Sequence, residues 1–521
     1  MGPLLDCRWV SDDSKLRSPS HPTPPPPRPA GRGGFDSRFG FFAPNTELPA
    51  GPKCRPLHYV FDSCLRLFHG RCEPFLCFKP TVPDNRPNYF TGAYVMPSNF
   101  MPPNMFRCAL LASLALVFAG TAWGQQVPVV ATVAAFNLAW AGTPNDFQQH
   151  LNVCSASDVN WCDTRAWIVR GATAPTTQEQ MRAEQCQQAT FAAAGGKLAS
   201  MLIAPCNAYR NGSPVKPGEP RPDPQLVRSA DAYAEKLAGL QATVEGLVAN
   251  EGVRVMAFQE VRSAEVVRLI LGRYADRFDT CEASYDAFQS LAFAWDKTLT
   301  SQPGRCTTRS DMAVKDPSND PNAFRSVRPG LSLELHVNGQ AVTFMNVHLK
   351  SACASVTNND ARYPGRLLTD EFEPCRVLNR QVPLLEDWIE TVAQRSPRFM
   401  LMGDFNRRID DEAVLSPPRD QVRSDGSDPA GPNPVDATGG VRTRYLWQEI
   451  SDGSPDLHQV PLTTSDDACT GFTGLDHIVI SGALKQANVG NIESRKLAVV
   501  SRTNQSIETS DHCPRLARLK F

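Results

Sequence analysis

The stretch Arg398–Arg408, RFMLMGDFNRR, decides how the rest of the chain is interpreted. Four large apolar residues lead into Gly403, and a short apolar run that ends in glycine is typical of a buried strand. Side chains alternate faces along a strand, so Asp404 and Asn406 should point the same way while Phe405 turns into the core. A carboxylate beside an amide suits a phosphate, its metal ion and an attacking water. Taken alone, Asp-Phe-Asn is more often an ordinary polar turn.

Other apolar runs also end in polar residues. Strands are predicted at 131–140, 253–261, 290–295, 331–337, 341–349, 475–481 and 516–521. Their ends or flanks carry Asn137, Glu260, His348, Asp476, Asp511 and His512. Each of these alone would more often be a surface or structural residue. Strands that lie side by side collect their ends at one edge, which is where the sites of open α/β sheets are found.

Helical spacing predicts the elements that cover such a sheet. Apolar residues recur every three or four positions from Leu226 to Leu247, and Asn250 and Gly252 are expected to end that helix. Further helices are predicted at 178–202, 264–274 and 378–392. The Asn338-Gly339 pair predicts a tight hairpin turn between two of the strands.

The N-terminal part of the chain has a different composition. Residues 1–100 hold 17 of the 44 prolines and no sustained apolar period, so 1–104 is interpreted as a disordered or miscalled extension. Residues 105–124 combine Arg107, an apolar run and small residues, which is typical of a secretory signal peptide starting at Met101 or Met105. The folded domain is expected at 125–521, with a cysteine-bearing insertion at about 143–225, and the mature chain would be secreted or periplasmic.

Cysteine usage agrees with export. Ten of the 16 cysteines follow Gly124, and an even set in an exported chain favours disulfides. We expect local pairs, namely 154–162, 186–206, 281–306 and 353–375, with 469–513 remaining. No CxxC spacing is present among these ten, which speaks against structural zinc.

The charge balance bears on the partner. Without residues 1–100 and Arg107, the chain keeps 53 − 13 = 40 basic and 54 − 8 = 46 acidic residues, a net charge of −6. A protein that lives on duplex DNA usually shows a basic footprint. The balance therefore speaks against tight non-specific DNA binding and leaves a transient phosphate substrate open.

As a set, the strand-end motifs resemble the endonuclease/exonuclease/phosphatase superfamily. The motifs are FNLAW (136–140), FQEV (258–261), NVHLKS (346–351), GDFN (403–406), LDHI (475–478) and SDHCP (510–514), in the order found in that family. The resemblance covers about residues 130–521. It implies a DNase-I-like fold, an α/β (α+β) four-layer α/β/β/α sandwich of two packed mixed sheets with outer helices.

The resemblance also implies roles for individual residues. Metal ligation falls to Asn137, Glu260 and Asp511, and oxygen ligands favour Mg²⁺, or Mn²⁺ or Ca²⁺, over zinc. The catalytic set is His348, Asp404, Asn406, Asp476 and His512, in which Asp476 would fix the ring of His512. Substrate binding falls to Arg325, Arg328 and Asn406. His477 should face away from the site because it follows Asp476 directly on a strand.

The implied function is that of an exported metal-dependent phosphodiesterase that acts as a nuclease on DNA, RNA or both. The protein is expected to be a monomer. Two alternatives stay open. The superfamily also includes enzymes that cut phospholipids and sphingomyelin, although no long aromatic membrane hairpin is evident in this sequence. A pseudo-nuclease that only binds is the third possibility, and the presence of all eight polar positions argues against it.

Overall fold

The computed structural model describes residues 128–160, 177–210, 226–315, 327–357, 366–415, 443–452, 454–463, 474–500 and 507–521. All of these belong to the compact unit Pro102–Phe521. The predicted extension, the predicted signal peptide, Arg325, Cys162 and Cys469 lie outside the described residues. Within the described ranges, no helix is both long and apolar enough to span a bilayer.

The described residues form the following elements. The strands are β1 Val130–Ala141, β2 Val253–Val261, β3 Phe278–Glu282, β4 Ser290–Asp296, β5 Arg305–Arg309, β6 Gly330–Val337, β7 Gln340–His348, β8 Arg398–Asp404, β9 Leu457–Gln459, β10 Asp476–Ser481, β11 Ser494–Lys496 and β12 Arg515–Lys520. The α-helices are α1 Pro144–Cys154, α2 Thr177–Ala193, α3 Lys197–Met201, α4 Ala230–Glu251, α5 Ala264–Leu271, α6 Glu373–Arg395, α7 Ile409–Leu415, α8 Leu446–Ser451 and α9 Gly482–Ala487.

The strands assemble into two six-stranded mixed sheets. The first has the order β11-β12-β1-β2-β4-β3 and the second the order β5-β6-β7-β8-β10-β9. In each sheet one central pair is parallel, β1 with β2 and β7 with β8, and the other pairs are antiparallel. The strands that carry the quoted motifs, apart from the SDHCP segment, therefore lie at or near the middle of their sheets.

Apolar side chains form the core in three layers. One cluster lies between the two sheets and combines residues such as Val133 and Phe293 with Phe344 and Met400. The outer face of the first sheet packs against α4 and α5, and that of the second sheet packs against α6. The result is helix, sheet, sheet and helix in succession, which confirms the predicted four-layer sandwich.

Most of the predicted elements are found within a few residues of their expected ends. Helix α4 begins after Ser229, whose side chain accepts a hydrogen bond from the Ala232 N–H, and it ends at Gly252 in the left-handed region with φ +63°. Asn338 and Gly339 both have positive φ, as the predicted hairpin turn requires. The helix predicted at 178–202 is instead two helices, because the chain turns at Gly195 and Gly196 with φ +82° and +133°.

The disulfide pairing differs in part from the prediction. The pairs Cys281–Cys306 and Cys353–Cys375 are confirmed, and the first of them joins β3 of one sheet to β5 of the other. The predicted pairs 154–162 and 186–206 are wrong, because Cys206 is bonded to Cys154. The segment after α3 folds back onto α1, where the ring of His150 contacts the Ala204 carbonyl at 2.9 Å, and this brings the two cysteines together. Cys186 and Cys513 are also disulfide-bonded.

Gly403 is the position in the GDFN motif where the backbone admits no side chain. Its φ is +139°, and a Cβ there would lie 2.1 Å from the carbonyl oxygen of Val347 on the neighbouring strand β7. The strand cannot move away from that carbonyl without breaking the parallel β7–β8 pairing, in which Val347 lies opposite Gly403.

We predict that Gly403→Ala lowers the free energy of unfolding by more than about 3 kcal/mol, because it adds a backbone clash to a left-handed φ. Gly246→Ala is the control, since that glycine lies inside α4 with no atom closer than 3.9 Å to the added Cβ. It should stabilise the chain by about 0.5–1 kcal/mol. Urea unfolding of the two variants measures both effects. A Gly403→Ala protein as stable as the wild type would contradict the explanation.

Candidate functional site

Asp404 is the point where polar residues of the two sheets meet. It ends β8, and its Oδ1 accepts a 2.8 Å hydrogen bond from the backbone N–H of Asn406. Its Oδ2 accepts one of 3.1 Å from Nδ2 of Asn137, which is on β1 of the other sheet. Asn406 in turn donates its side-chain amide to the Leu349 carbonyl at 3.1 Å. Asp404 is thus held by the first sheet and by its own turn.

The backbone at these strand ends is unusual. Glu260 and Asn406 have φ of +53° and +50°, and Ala139 and Trp140 have +49° and +63°. The pairing of β1 and β2 shifts register between Asn137 and Ala141, so the regular alternation of side chains ends there. Non-glycine residues in the left-handed region cost of order 1 kcal/mol each, and such strain is concentrated at functional sites.

Glu260 lies beside this break in the sheet. Its Oε2 accepts a 3.1 Å hydrogen bond from the Trp140 N–H, and its Oε1 lies 3.6 Å from Nε2 of His348. The side chain is 15 % exposed. Burial, followed by the negative charge of Asp511, raises the pKa of Glu260 to about 7. No basic side chain pairs with it directly among the described residues, apart from the ring of His348.

His348 occupies the space between the two carboxylates. Its Nε2 lies 3.4 Å from Asp404 Oδ2, and its Nδ1 is buried without a hydrogen-bond partner among the described residues. Burial, aided by the positive charges of Arg328 and His512, lowers the pKa of His348 well below its ordinary value. The ring is therefore neutral at physiological pH.

His512 has the opposite electrostatic character. Its Nδ1 donates to both oxygens of Asp476, at 3.0 and 3.1 Å, and its Nε2 lies 3.8 Å from Asp404 Oδ2. Burial opposes protonation of this ring, but Asp476 and Asp404 outweigh it and raise the pKa of His512 well above its ordinary value. The predicted pairing of Asp476 with the ring of His512 is present.

Lys496 is a third member of the Asp476–His512 group and was not predicted from the sequence. Its ammonium, on the edge strand β11, donates to Asp476 Oδ2 at 3.0 Å and is 3 % exposed. Burial alone would raise the pKa of Asp476, but His512 and Lys496 hold it below its ordinary range. β11 is three residues long and has no apolar alternation, so no pattern in the sequence marks it as a strand or its lysine as buried.

The remaining predicted positions are placed as follows. Asp511 is half-buried and close enough to Glu260 for their charges to interact. Arg328 is 8 % exposed, and its guanidinium donates to the carbonyl oxygens of His348, at 3.1 Å, and of Leu349. His477 faces away from the site, as expected, and contacts the carbonyl oxygens of Arg407 and Gly474 at 2.9 and 3.0 Å.

Two groups of side chains could hold a cation. Asp404, Asp476 and His512 place one ligand atom each within 4.8 Å of one another. Lys496 and His512 already compensate the charge of Asp476, which makes that group less suited to a cation. The pKa of Glu260 is raised by burial and also by the negative charges of Asp511 and Asp404, so carboxylates are concentrated around Glu260. Carboxylates with an amide oxygen and no thiolate are the donor set of Mg²⁺, Mn²⁺ or Ca²⁺.

The raised pKa of Glu260 predicts a stability that depends on pH. The folded state holds the proton up to about pH 7, whereas the unfolded chain releases it near 4.5. The metal-free wild type should therefore lose unfolding free energy as pH rises from 4.5 to 7, by about 3 kcal/mol. Glu260→Gln removes this dependence and should be the more stable protein at pH 8. Urea unfolding in EDTA at pH 5 to 8 measures the difference, and parallel curves for the two proteins would contradict it.

Comparison with known proteins finds solved structures only. No protein-family model and no curated protein matches the chain. A truncated TDP2 of Caenorhabditis elegans is similar at 16 % identity and a TM-score of 0.32, over 55 % of this chain and 92 % of that one. D. rerio TDP2, complexed with a single-strand DNA product, is similar at 16 % identity and a TM-score of 0.31, over 54 % of this chain and 92 % of that one. The mannosyl-6-phosphatase of Bacteroides thetaiotaomicron is similar at 12 % identity and a TM-score of 0.32, over 56 % of this chain and 94 % of that one.

The two sheets, their order and the outer helices are those expected from the six motifs, and each motif lies at a strand end or turn. The chain has two packed mixed sheets with outer helices, the four-layer arrangement of the DNase-I-like fold.

Proposed function

We propose that the chain is a metal-dependent phosphodiester hydrolase that cuts nucleic acid by attack of water on phosphorus. The supporting observation is the continuous set of contacts across the two sheets. Asn137 contacts Asp404, Asp404 lies beside His348 and His512, and His348 lies beside Glu260. Three carboxylates or amides and two imidazoles are thereby gathered from strands that are distant in sequence.

The two histidines suit different tasks in this reaction. His512, kept cationic by Asp476, is suited to stabilise negative charge that develops on the phosphoryl oxygens. His348 is neutral, with Nε2 between two carboxylates, and suits a hydrogen bond that stabilises negative charge on the phosphoryl group. Asp404, whose pKa is raised by burial, is suited to orient the attacking water and accept its proton. Asn406 has one amide N–H left over from its bond to Leu349 for a phosphate oxygen.

The magnitude of the task argues for this division of labour. Phosphodiesters hydrolyse so slowly that an enzyme needs well over about 10¹⁰-fold acceleration. General acid–base catalysis supplies about 10²–10⁴ of it. A divalent cation, Mg²⁺ by preference, would supply charge neutralisation at the phosphate, held by Glu260, Asn137 and Asp511. The fixed positive charges of Arg328 and His512 act on the same region.

Disulfides and net charge bear on the cellular setting and the substrate. The disulfides in the described part of the chain suit an oxidising compartment, in keeping with a secreted or periplasmic enzyme. The net charge of −6 outside the leader suits brief contact with nucleic acid. A lipid phosphodiesterase that acts on phospholipid or sphingomyelin is the second candidate, because the same catalytic groups serve any phosphodiester.

The decisive experiment is a substrate panel with and without EDTA. It contains plasmid DNA, RNA, bis-p-nitrophenyl phosphate, p-nitrophenyl phosphate and sphingomyelin. We expect cleavage of nucleic acid and of the bis-ester that EDTA abolishes and Mg²⁺ or Mn²⁺ restores. Activity on lipid alone would favour the second candidate. Activity on the mono-ester alone would indicate a phosphatase, and no activity on any substrate would indicate a pseudo-nuclease.

A single substitution tests the assigned roles. Asp476→Asn should lower kcat by about 10²–10⁴-fold, because the amide no longer keeps His512 cationic and correctly oriented. Divalent-cation affinity, measured by calorimetry, should stay near that of the wild type. Asp296→Asn is the matched control, since Asp296 is a buried carboxylate that pairs with Arg254 and Arg277 away from the site. Equal loss of kcat and cation affinity in Asp476→Asn would assign Asp476 to the metal instead.

A further inference from the structure

Lys236 is a buried lysine that the proposed reaction does not use. It lies in α4 on the outer face of the first sheet, and it is 1 % exposed. No carboxylate lies within ion-pair distance of its ammonium among the described residues. Removing a charge from water costs several kcal/mol unless polar groups replace the lost hydration. The contacts of this ammonium therefore indicate why a charge is kept there.

Three backbone carbonyls take up the three N–H donors of the ammonium. Nζ donates to the oxygens of Leu138 at 3.1 Å, Glu508 at 3.2 Å and Thr509 at 2.6 Å. The ammonium is thus fully hydrogen-bonded, and it satisfies carbonyls in two segments that have left regular strand pairing. Burial lowers the pKa of Lys236 to about 8, and the charges of Asp511, Glu508 and Glu260 oppose that decrease, so the cation persists at neutral pH.

These two segments carry the site. Leu138 directly follows Asn137 and precedes the left-handed residues Ala139 and Trp140. Thr509 directly precedes the Ser510-Asp511-His512 turn. A second contact joins the same segments, because Ser510 Oγ donates to the Asn137 carbonyl at 2.7 Å and accepts from the His512 N–H at 3.0 Å.

Gly239 provides an independent observation at the same place. It lies three residues after Lys236 on α4, and a Cβ there would lie 2.6 Å from Thr509 Oγ1 and 2.9 Å from the Val500 carbonyl. The segment before the turn therefore sits against the helix backbone more closely than any side chain at 239 would allow. Thr509 therefore contacts α4 in two ways: its carbonyl accepts from Lys236, and its side chain packs against the backbone at Gly239.

We propose that Lys236 is a positioning residue, whose ammonium fastens the end of β1 to the 508–512 turn and so fixes Asn137, Asp511 and His512 relative to one another. The inference rests on the proposed function for its catalytic consequence. Lys236 touches none of the reacting groups and acts through Leu138 and Thr509. A misplacement of about 1 Å at a reacting centre can lower the rate by about 10²-fold.

The test compares Lys236→Met with a control on the same helix. Lys236→Met keeps the volume and removes the three donors, and it should lower kcat by about 10–100-fold with little change in KM. Leu247→Ala removes buried apolar contact from α4 more than two turns away and should lower Tm while kcat stays within about twofold of the wild type. Gly239→Ala, which displaces Thr509 and keeps the lysine, should lower kcat in the same way as Lys236→Met.

Amide hydrogen exchange gives a reading that does not depend on catalysis. In Lys236→Met, exchange should accelerate in 137–142 and 508–512 beyond the increase seen in Leu247→Ala. Unchanged exchange there, or an equal loss of kcat in the two variants at equal Tm, would overturn the inference. If the wild type is inactive but exchange in Lys236→Met accelerates as expected, the proposed function is refuted, while the link that Lys236 makes between β1 and the 508–512 turn is supported. Lys236→Gln, which retains part of the donor set, replaces the Met variant if that protein does not fold, and it is expected to show a smaller loss of kcat.

Discussion

The side-chain amide of Asn346 holds the two sheets in register beneath the site. It lies on β7, two residues before His348, and donates across the sandwich to the carbonyls of Phe258 and Ala292 at 2.9 and 3.1 Å. Its oxygen accepts a 2.7 Å hydrogen bond from Gln259, the neighbour of Glu260. Each sheet supplies about half of the site, so apolar packing alone, which tolerates small sliding, would not keep the halves aligned. Directional bonds in a low-dielectric interior do.

The charges of the site divide into two unlike parts. Asp476 is compensated on one side by His512 and on the other by Lys496, and this part is electrostatically complete. Glu260 has only the neutral ring of His348 beside it among the described residues, Asp404 shares the positive charge of His512 with Asp476, and burial raises the pKa of both Glu260 and Asp404. The folded protein thus stores unfavourable charge where a cation and a substrate would be bound, a common compromise between stability and function. Binding of a cation would therefore change the electrostatic free energy of Glu260 and Asp404 more than that of Asp476.

Periodicity and the points where apolar runs stop predicted the strands and the polar residues at their ends, whereas the four-layer sandwich was implied by the resemblance of the motifs to a known superfamily. Alternation also placed His477 away from the site. The sequence pattern could not predict the contact of Asn137 with Asp404, because that contact crosses from one sheet to the other. Nor did proximity in sequence predict the Cys154–Cys206 pair, since its formation depends on which turn packs back onto α1.

Buried basic residues are the part of such a site that periodicity describes least well. Lys236 lies three residues after Tyr233 and four before Leu240, both buried, so it occupies a core position of the α4 stripe. A charged residue at an apolar spacing is a signal that the sequence does carry, and its reading as a buried ammonium needs only the assumption that the stripe is continuous. Lys496 carries no comparable signal, because its strand is too short to have a period. The first kind of residue can be sought in other sequences, whereas the second requires coordinates.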